Sequence, residues 1–387
     1  MNRNLWLLAL CQGLFLTNNV AFIAINGLVG FSLAPFGWMA TLPVMAYVVG
    51  GALSTPLVAR TQSRYGRRVS FQLGLVVAFA SVCLSTWAVL DKNFWLLVVA
   101  TVVAGYYSAN GQLYRFAAAE LVPAPQREKA VSMVLAGGLI GAIAGPNLAA
   151  RSRTLLEVPF AGAYVVLAGV ALLAMLLMAF IRFPPHVAAA SGQTGGRPLS
   201  AIMCQPVFIV ACASAALGYG VMNLLMAATP LAMQQCGLSF DDAALVLEWH
   251  VIGMFAPGFF TGGWIKRFGT LQVMGVGVAL NLACIAIALS GVELHQFTIA
   301  LFLLGVGWNF IFTGSTTLAL SAYQPEEKDR AQAAINFCVF AVLALSSLAS
   351  GVLVTTQGWA LLNWGSLVPV GLTALALVWL AGIRQST

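Results

Sequence analysis

Two pairs of soft side chains stand four residues apart in otherwise apolar sequence. One is Met222 and Met226, within Met222-Asn223-Leu224-Leu225-Met226; the other is His250 and Met254, within His250-Val251-Ile252-Gly253-Met254. On a helix, residues i and i+4 lie about 40° apart on one face, one above the other, so each segment can offer two ligands to a common point. A thioether is a soft, uncharged donor that selects Cu(I) over hard cations, and imidazole is also a good copper ligand. Zinc asks instead for thiolate, imidazole or carboxylate. Three thioethers and one imidazole therefore point to Cu(I), bound by neutral donors that let it go again. Met233 and Cys236 continue this face, at about +20° and −40° from Met222, and suggest a relay feeding the same point. The same spacing also suits plain core packing, because Met fills irregular apolar interiors.

The elements that must position these residues are membrane helices. Of 387 residues, 60% are hydrophobic and 7% charged, against about 25% charged in soluble domains. Apolar stretches long enough to cross a hydrocarbon core of about 30 Å recur at roughly 5–32, 38–60, 69–90, 93–120, 127–150, 156–181, 206–234, 240–264, 270–290, 295–322, 329–354 and 357–383. The first is too long for a signal peptide and lacks a small-residue cleavage pattern, so it reads as helix 1. Seven cysteines scattered through apolar segments do not form a disulfide framework.

Lys and Arg accumulate on the cytoplasmic side of short loops. With the N-terminus inside, that side collects 15 of the 18 basic residues, Arg115 among them, leaving Lys92, Arg151 and Arg153 on the other. Both termini are expected in the cytoplasm, in a bacterial inner membrane. The net charge of +7 then faces an anionic leaflet and needs no nucleic-acid partner. In this frame helix 7 rises to the periplasm and helix 8 descends from it. At 1.5 Å per residue, Met226, His250, Met222 and Met254 lie roughly 12, 15, 18 and 21 Å from the periplasmic ends, interleaved in height if the helices are neighbours.

A polar, Gly- and Pro-rich stretch divides the chain into an N-terminal six-helix bundle (1–181), a linker (182–205) and a C-terminal six-helix bundle (206–387). The halves echo each other. Arg64-Tyr65-Gly66 recurs as Arg267-Phe268-Gly269, and Arg127-Glu128-Lys129-Ala130 as Lys328-Asp329-Arg330-Ala331, an offset of about 200 residues of the kind duplicated transporters carry. The stretch Ser63-Arg64-Tyr65-Gly66-Arg67-Arg68 resembles the loop 2–3 signature of the major facilitator superfamily, with Ser63 in its acidic position. The resemblance covers the whole chain. It implies an all-α fold of twelve membrane helices in two pseudo-repeats, rocking around a midplane site. Arg64, Gly66, Arg67 and Arg68 would form the loop that stabilises one conformational state.

The two Met/His motifs together resemble those of the CcoA-like copper importers of this superfamily, with Met222, Met226, His250 and Met254 matching residue by residue and Cys236 resembling a helix 7 thiol. That resemblance implies secondary-active copper import for haem-copper cytochrome c oxidase assembly, by a monomer in the lipid bilayer that hands copper to cytoplasmic copper-handling proteins. Copper would be cargo, with no cofactor.

Other readings compete. Relatives of these importers lacking the motifs carry riboflavin, which makes an organic-solute importer the nearest rival. Gly141-Ala142-Ile143-Ala144-Gly145-Pro146 is similar to a motif of proton-coupled drug exporters, but Ala149-Ala150 stands where that motif continues with glycines. Glu248 is the one acidic residue well inside a span and a candidate for proton coupling or a structural partner. Asn18, Asn19, Asn26, Gln112, Asn147, Asn309 and Asn336 suit cavity lining or helix-to-helix glue. No nucleotide-binding loop or hydrolytic triad is present, so an enzyme is not expected.

Overall fold

A computed structural model describes residues 3–123, 127–184, 197–324 and 327–386. Its long helices are α1 (Arg3–Leu33), α2 (Gly37–Gln62), α3 (Arg64–Leu90), α4 (Phe94–Ala118), α5 (Arg127–Ser152), α6 (Ala161–Ala179), α7 (Pro206–Gln235), α8 in two pieces (Phe240–Phe255 and Gly258–Phe268), α9 (Thr270–Ser290), α10 (Leu294–Leu320), α11 (Lys328–Thr356) and α12 (Gly358–Ser386). Eleven are each long and apolar enough to cross a bilayer, and the bent α8 pair makes a twelfth span.

Burial sorts these helices into inner and outer ones. Within its most apolar window α1 is 78% buried and α12 only 28%, so α1 is central while α12 turns Leu375 and Val378 outward. One buried cluster, with Phe15, Phe71, Tyr107 and Tyr114, belongs to the first half. A larger one, around Leu225, Leu304 and Trp308, belongs to the second and draws in Val20, Ala24 and Leu28 where α1 meets it.

The halves turn alike at two glycines. Gly66 (φ 78°) interrupts the helical run at the start of α3, and Gly269 (φ 96°) separates α8 from α9. Only glycine takes such a φ at little cost. In both repeats the preceding arginine lies over the aromatic ring between them, Arg64 over Tyr65 at 5.4 Å and Arg267 over Phe268 at 5.2 Å.

The span expected over 240–264 runs to Phe268 and is bent by 42°. Pro257 supplies no N–H and its ring crowds the preceding turn. Side chains brace the bend: Asn309 Nδ2 donates to the Met254 carbonyl at 2.7 Å, and Thr261 Oγ1 donates to Pro257 O and Asn309 Oδ1, both at 2.7 Å.

Of the expected linker 182–205, residues 185–196 lie outside the described residues. Its last part forms a one-turn helix, Leu199–Met203. Just before it Arg197 is fastened to Glu327, whose carboxylate accepts from Arg197 Nε (2.9 Å), Nη2 (2.8 Å) and backbone N (2.7 Å). We call the face bearing the linker and the termini the linker side, and the opposite face the far side.

Candidate functional site

The upper piece of α8 begins at a capping box in which Ser239 and Asp242 exchange hydrogen bonds, satisfying N–H groups the first turn leaves open. Two turns on, His250 and Met254 point into the protein, His250 with no exposed surface and Met254 with 6%. Met222 and Met226 of α7 are buried as well, and all three methionines share one apolar cluster.

The expected pairing of α7 with α8 is corrected by the packing. The upper piece of α8 packs chiefly against α10, α7 packs against α11 and α10, and the two touch each other only sparsely. Glycines explain this. A Cβ on Gly305 of α10 would stand 2.4 Å from the His250 carbonyl oxygen, and one on Gly253 of α8 would stand 2.7 Å from the Phe302 carbonyl oxygen, so the bare backbones let α8 and α10 approach closely. His250 joins the same seam: Nδ1 lies 2.7 Å from the Leu301 carbonyl oxygen. A carbonyl can only accept, so Nδ1 carries the proton and Nε2 the lone pair. Nε2 is buried and has no hydrogen-bond partner.

The proposed relay residues are not brought together in one environment. Met233 is fully buried, whereas Cys236 is exposed and caps the end of α7. A far-side cavity of ≈ 330 Å³ lies between the halves beside this end, lined by Arg153, Phe160, Gln234 and Phe240 among others, and by neither Met233 nor Cys236. Glu248 leaves the His250 direction altogether: it accepts from Asn147 Nδ2 of α5 at 2.7 Å.

Several polar and aromatic links join the halves toward the far side. Besides Asn147 and Glu248, Thr41 Oγ1 donates to Ser347 O (2.6 Å) and accepts from Gly351 N (3.0 Å). Arg153 pairs with Asp241 at 3.2 Å, and Phe160 meets Phe240 edge to face at 5.2 Å. Toward the linker side Arg67 is held within the first half, where its Nε and Nη2 reach Glu120 at 3.2 and 2.6 Å, and it also donates to Gln62. Arg68 donates to Ala179 O at 2.7 Å. Thus Glu120, at the end of α4, supplies the acid that pairs with this loop.

Sequence reasoning missed two residues. Asn223, beside Met222, ties α7 to α11 through Leu343 O, Ser346 Oγ and Ser347 Oγ (3.3, 2.9 and 2.7 Å). Arg115, counted on the cytoplasmic side, lies near the end of span α4, within the expected 93–120, and its Nε is buried without a partner. Its place between Tyr114 and Phe116 inside an apolar stretch is the signal that could have found it, since a charge at membrane depth is costly.

The profile of the Major Facilitator Superfamily matches residues 5–256 and 210–386. The riboflavin transporter RfnT of Brucella anthropi is 35% identical over 378 residues, covering 97% of this chain and 95% of that protein. The uncharacterized MFS-type transporter YddS of Bacillus subtilis is 27% identical over 332 residues, 81% of this chain and 75% of its own. Two solved structures share the fold. A nucleoside transporter, NupG, has a TM-score of 0.76 at 11% identity, covering 98% of this chain and 99% of its own; the human organic anion transporter MFSD10 has 0.70 at 14%, covering 97% and 100%. RfnT's cargo is riboflavin, so this similarity favours the organic-solute expectation over the copper one.

Proposed function

Since the chain belongs to the major facilitator superfamily, we propose that this membrane transporter is an alternating-access importer of a planar organic solute of the flavin class. One observation carries the reading: similarity to a riboflavin transporter runs through nearly the full length of both chains, so it includes the central helices and not only the scaffold. Aromatic side chains at the centre suit such a cargo. Tyr219 and Trp308 meet edge to face at 5.1 Å, and Trp308 and Phe312 stack at 5.0 Å.

With the linker side read as cytoplasmic, as the bias of basic residues favours, the far side is periplasmic and the links across it hold that entrance shut. Import requires those links to break so that cargo enters, and to re-form as the halves rock and release it inward.

A second reading, Cu(I) import for cytochrome oxidase assembly, is favoured by a specific observation. His250 Nε2 offers a buried, unpartnered lone pair, and Met222, Met226 and Met254 are buried in the same half; imidazole and thioether are the donors a soft cation needs. Proteoliposomes carrying the purified protein separate the readings. We expect saturable uptake of labelled riboflavin that a large excess of copper does not compete away. Copper uptake that is lost in Met226→Ala and His250→Ala, with no flavin uptake, overturns the flavin reading in favour of copper.

A further inference from the structure

The far-side cavity of ≈ 330 Å³ falls in the size range of organic-ligand sites, about 300–1,000 Å³, and both halves build it. Leu28 of α1 and Pro230 of α7 are buried and close its inner end, while Gln234 at its rim is exposed. It therefore reaches the far surface even with the links across that face in place. Pro230 stands one helical turn outward of Met226 on α7, and Leu28 belongs to the buried cluster that holds Met226. The cavity thus leads from the surface to the centre of the protein.

Its walls are aromatic and cationic. The strap between α5 and α6 is closed by a bond from Phe160 N to Arg153 O at 2.7 Å, and both side chains line the cavity. Phe160 adopts φ 66°, a left-handed backbone that is costly for a residue with a Cβ, and its ring meets that of Phe240 on α8 at 5.2 Å. Arg153 lies over the Phe240 ring at 5.5 Å. Its one hydrogen bond among the described residues goes to Asp241 at 3.2 Å, in an exposed pair of the kind that salt weakens. A planar fork of N–H donors is thus held beside two rings with a weak, exchangeable acceptor. The described lining holds neither thiol nor thioether, so it offers nothing to a soft cation.

We propose that this cavity is an entry subsite for the cargo. A planar heteroaromatic solute arriving from the far side lays its ring face on Phe160 and Phe240, and its carbonyl and ring-nitrogen edge takes the Arg153 fork from Asp241. A guanidinium matches two adjacent acceptors, and aromatic faces stack on the ring system. Gln234 at the rim meets the polar chain of the solute. Cargo thereby exchanges two of the closing links, Arg153 with Asp241 and Phe160 with Phe240, for contacts with itself, so its arrival favours the open state. This rests on the flavin reading above.

The test is riboflavin uptake into proteoliposomes, with lumiflavin, which has the ring system without the ribityl chain, as competitor. Arg153→Gln and Asp241→Asn break the same ion pair, but only the first removes the donor. Both side chains are partly exposed, 29% and 64%, so neither substitution disturbs the core. Arg153→Gln should raise the KM for riboflavin roughly tenfold, the size of one hydrogen bond to a charged group, and weaken lumiflavin competition by a similar factor. Asp241→Asn frees the guanidinium and should lower the KM, by no more than about fivefold for an exposed pair. Phe240→Leu keeps an apolar wall without the ring face and should raise the KM several-fold. Wild-type protein that carries no riboflavin overturns the flavin reading itself. Wild-type protein that carries riboflavin, with Arg153→Gln at the wild-type KM or shifted in the same direction as Asp241→Asn, makes Arg153 a closing link alone and overturns only this inference.

Discussion

His250 on α8 donates its Nδ1 proton to the carbonyl of Leu301 on α10 at 2.7 Å, and this one bond fixes both the tautomer and the direction of the ring. It therefore separates a structural role from a ligand role, because the two nitrogens do different things. Asparagine can keep the bond to Leu301 through its amide nitrogen while removing Nε2. If Nε2 carries no cargo, His250→Asn should unfold within about 1 kcal/mol of wild type, the net worth of one retained hydrogen bond, and should transport riboflavin normally. His250→Ala removes the bond and opens a cavity, and should cost about 2–4 kcal/mol. Thermal unfolding in detergent and parallel flavin and copper uptake check this; copper uptake abolished by His250→Asn in a fully stable protein would mark Nε2 as a copper ligand.

The linker anchor supplies a pH-dependent prediction outside the membrane. Arg197 above all, with the backbone N–H of Gln324, holds the Glu327 carboxyl down at about 2, from an ordinary value of 4.5. A carboxyl held down in the fold is more acidic there than in the unfolded chain. Its contribution is complete above pH 4.5 and is lost as pH falls toward 2. Wild type should therefore unfold at a higher temperature than Glu327→Gln near neutral pH, and the gap should narrow between pH 4.5 and 2. A gap that stays constant over that window would mean that Glu327 acts by packing and not by charge.

The twelve membrane spans were legible because hydrocarbon thickness sets span length, and the repeated turns were legible because Gly66 and Gly269 mark them directly. The bend at Pro257 was not, although the proline was visible: a proline in a membrane helix is either tolerated or bends it according to what braces the freed carbonyls, here Asn309 and Thr261. The four soft residues were correctly expected inside the protein, yet the helix that joins them was not foreseen. Sequence spacing reports which residues share a face, but the neighbour of that face depends on distant small residues, here Gly253 and Gly305. Arg115 fell within the expected span 93–120, but charge counting takes a basic residue near a span end as a side marker and says nothing of its buried Nε.

The links that close the far side differ in burial. Thr41 is fully buried and both accepts and donates across the halves. Asp241 pairs with Arg153 at the surface, with side chains 64% and 29% exposed. Removing a buried link costs about 1–3 kcal/mol, whereas an exposed ion pair is worth about 0.2–1 kcal/mol and is screened by salt. At 1.4 kcal/mol per tenfold, Thr41→Val should shift the population toward the far-side-open state by about fivefold to a hundredfold, and Asp241→Asn by no more than about fivefold. The readout is the labelling rate of Met226→Cys by a membrane-impermeant thiol reagent, in a Cys236→Ser background because Cys236 is itself exposed. High salt should raise the rate in wild type and leave it unchanged in Asp241→Asn. Equal effects of the two substitutions would mean that the closure is held elsewhere, at Asn147 and Glu248 or in the contact of Phe160 with Phe240.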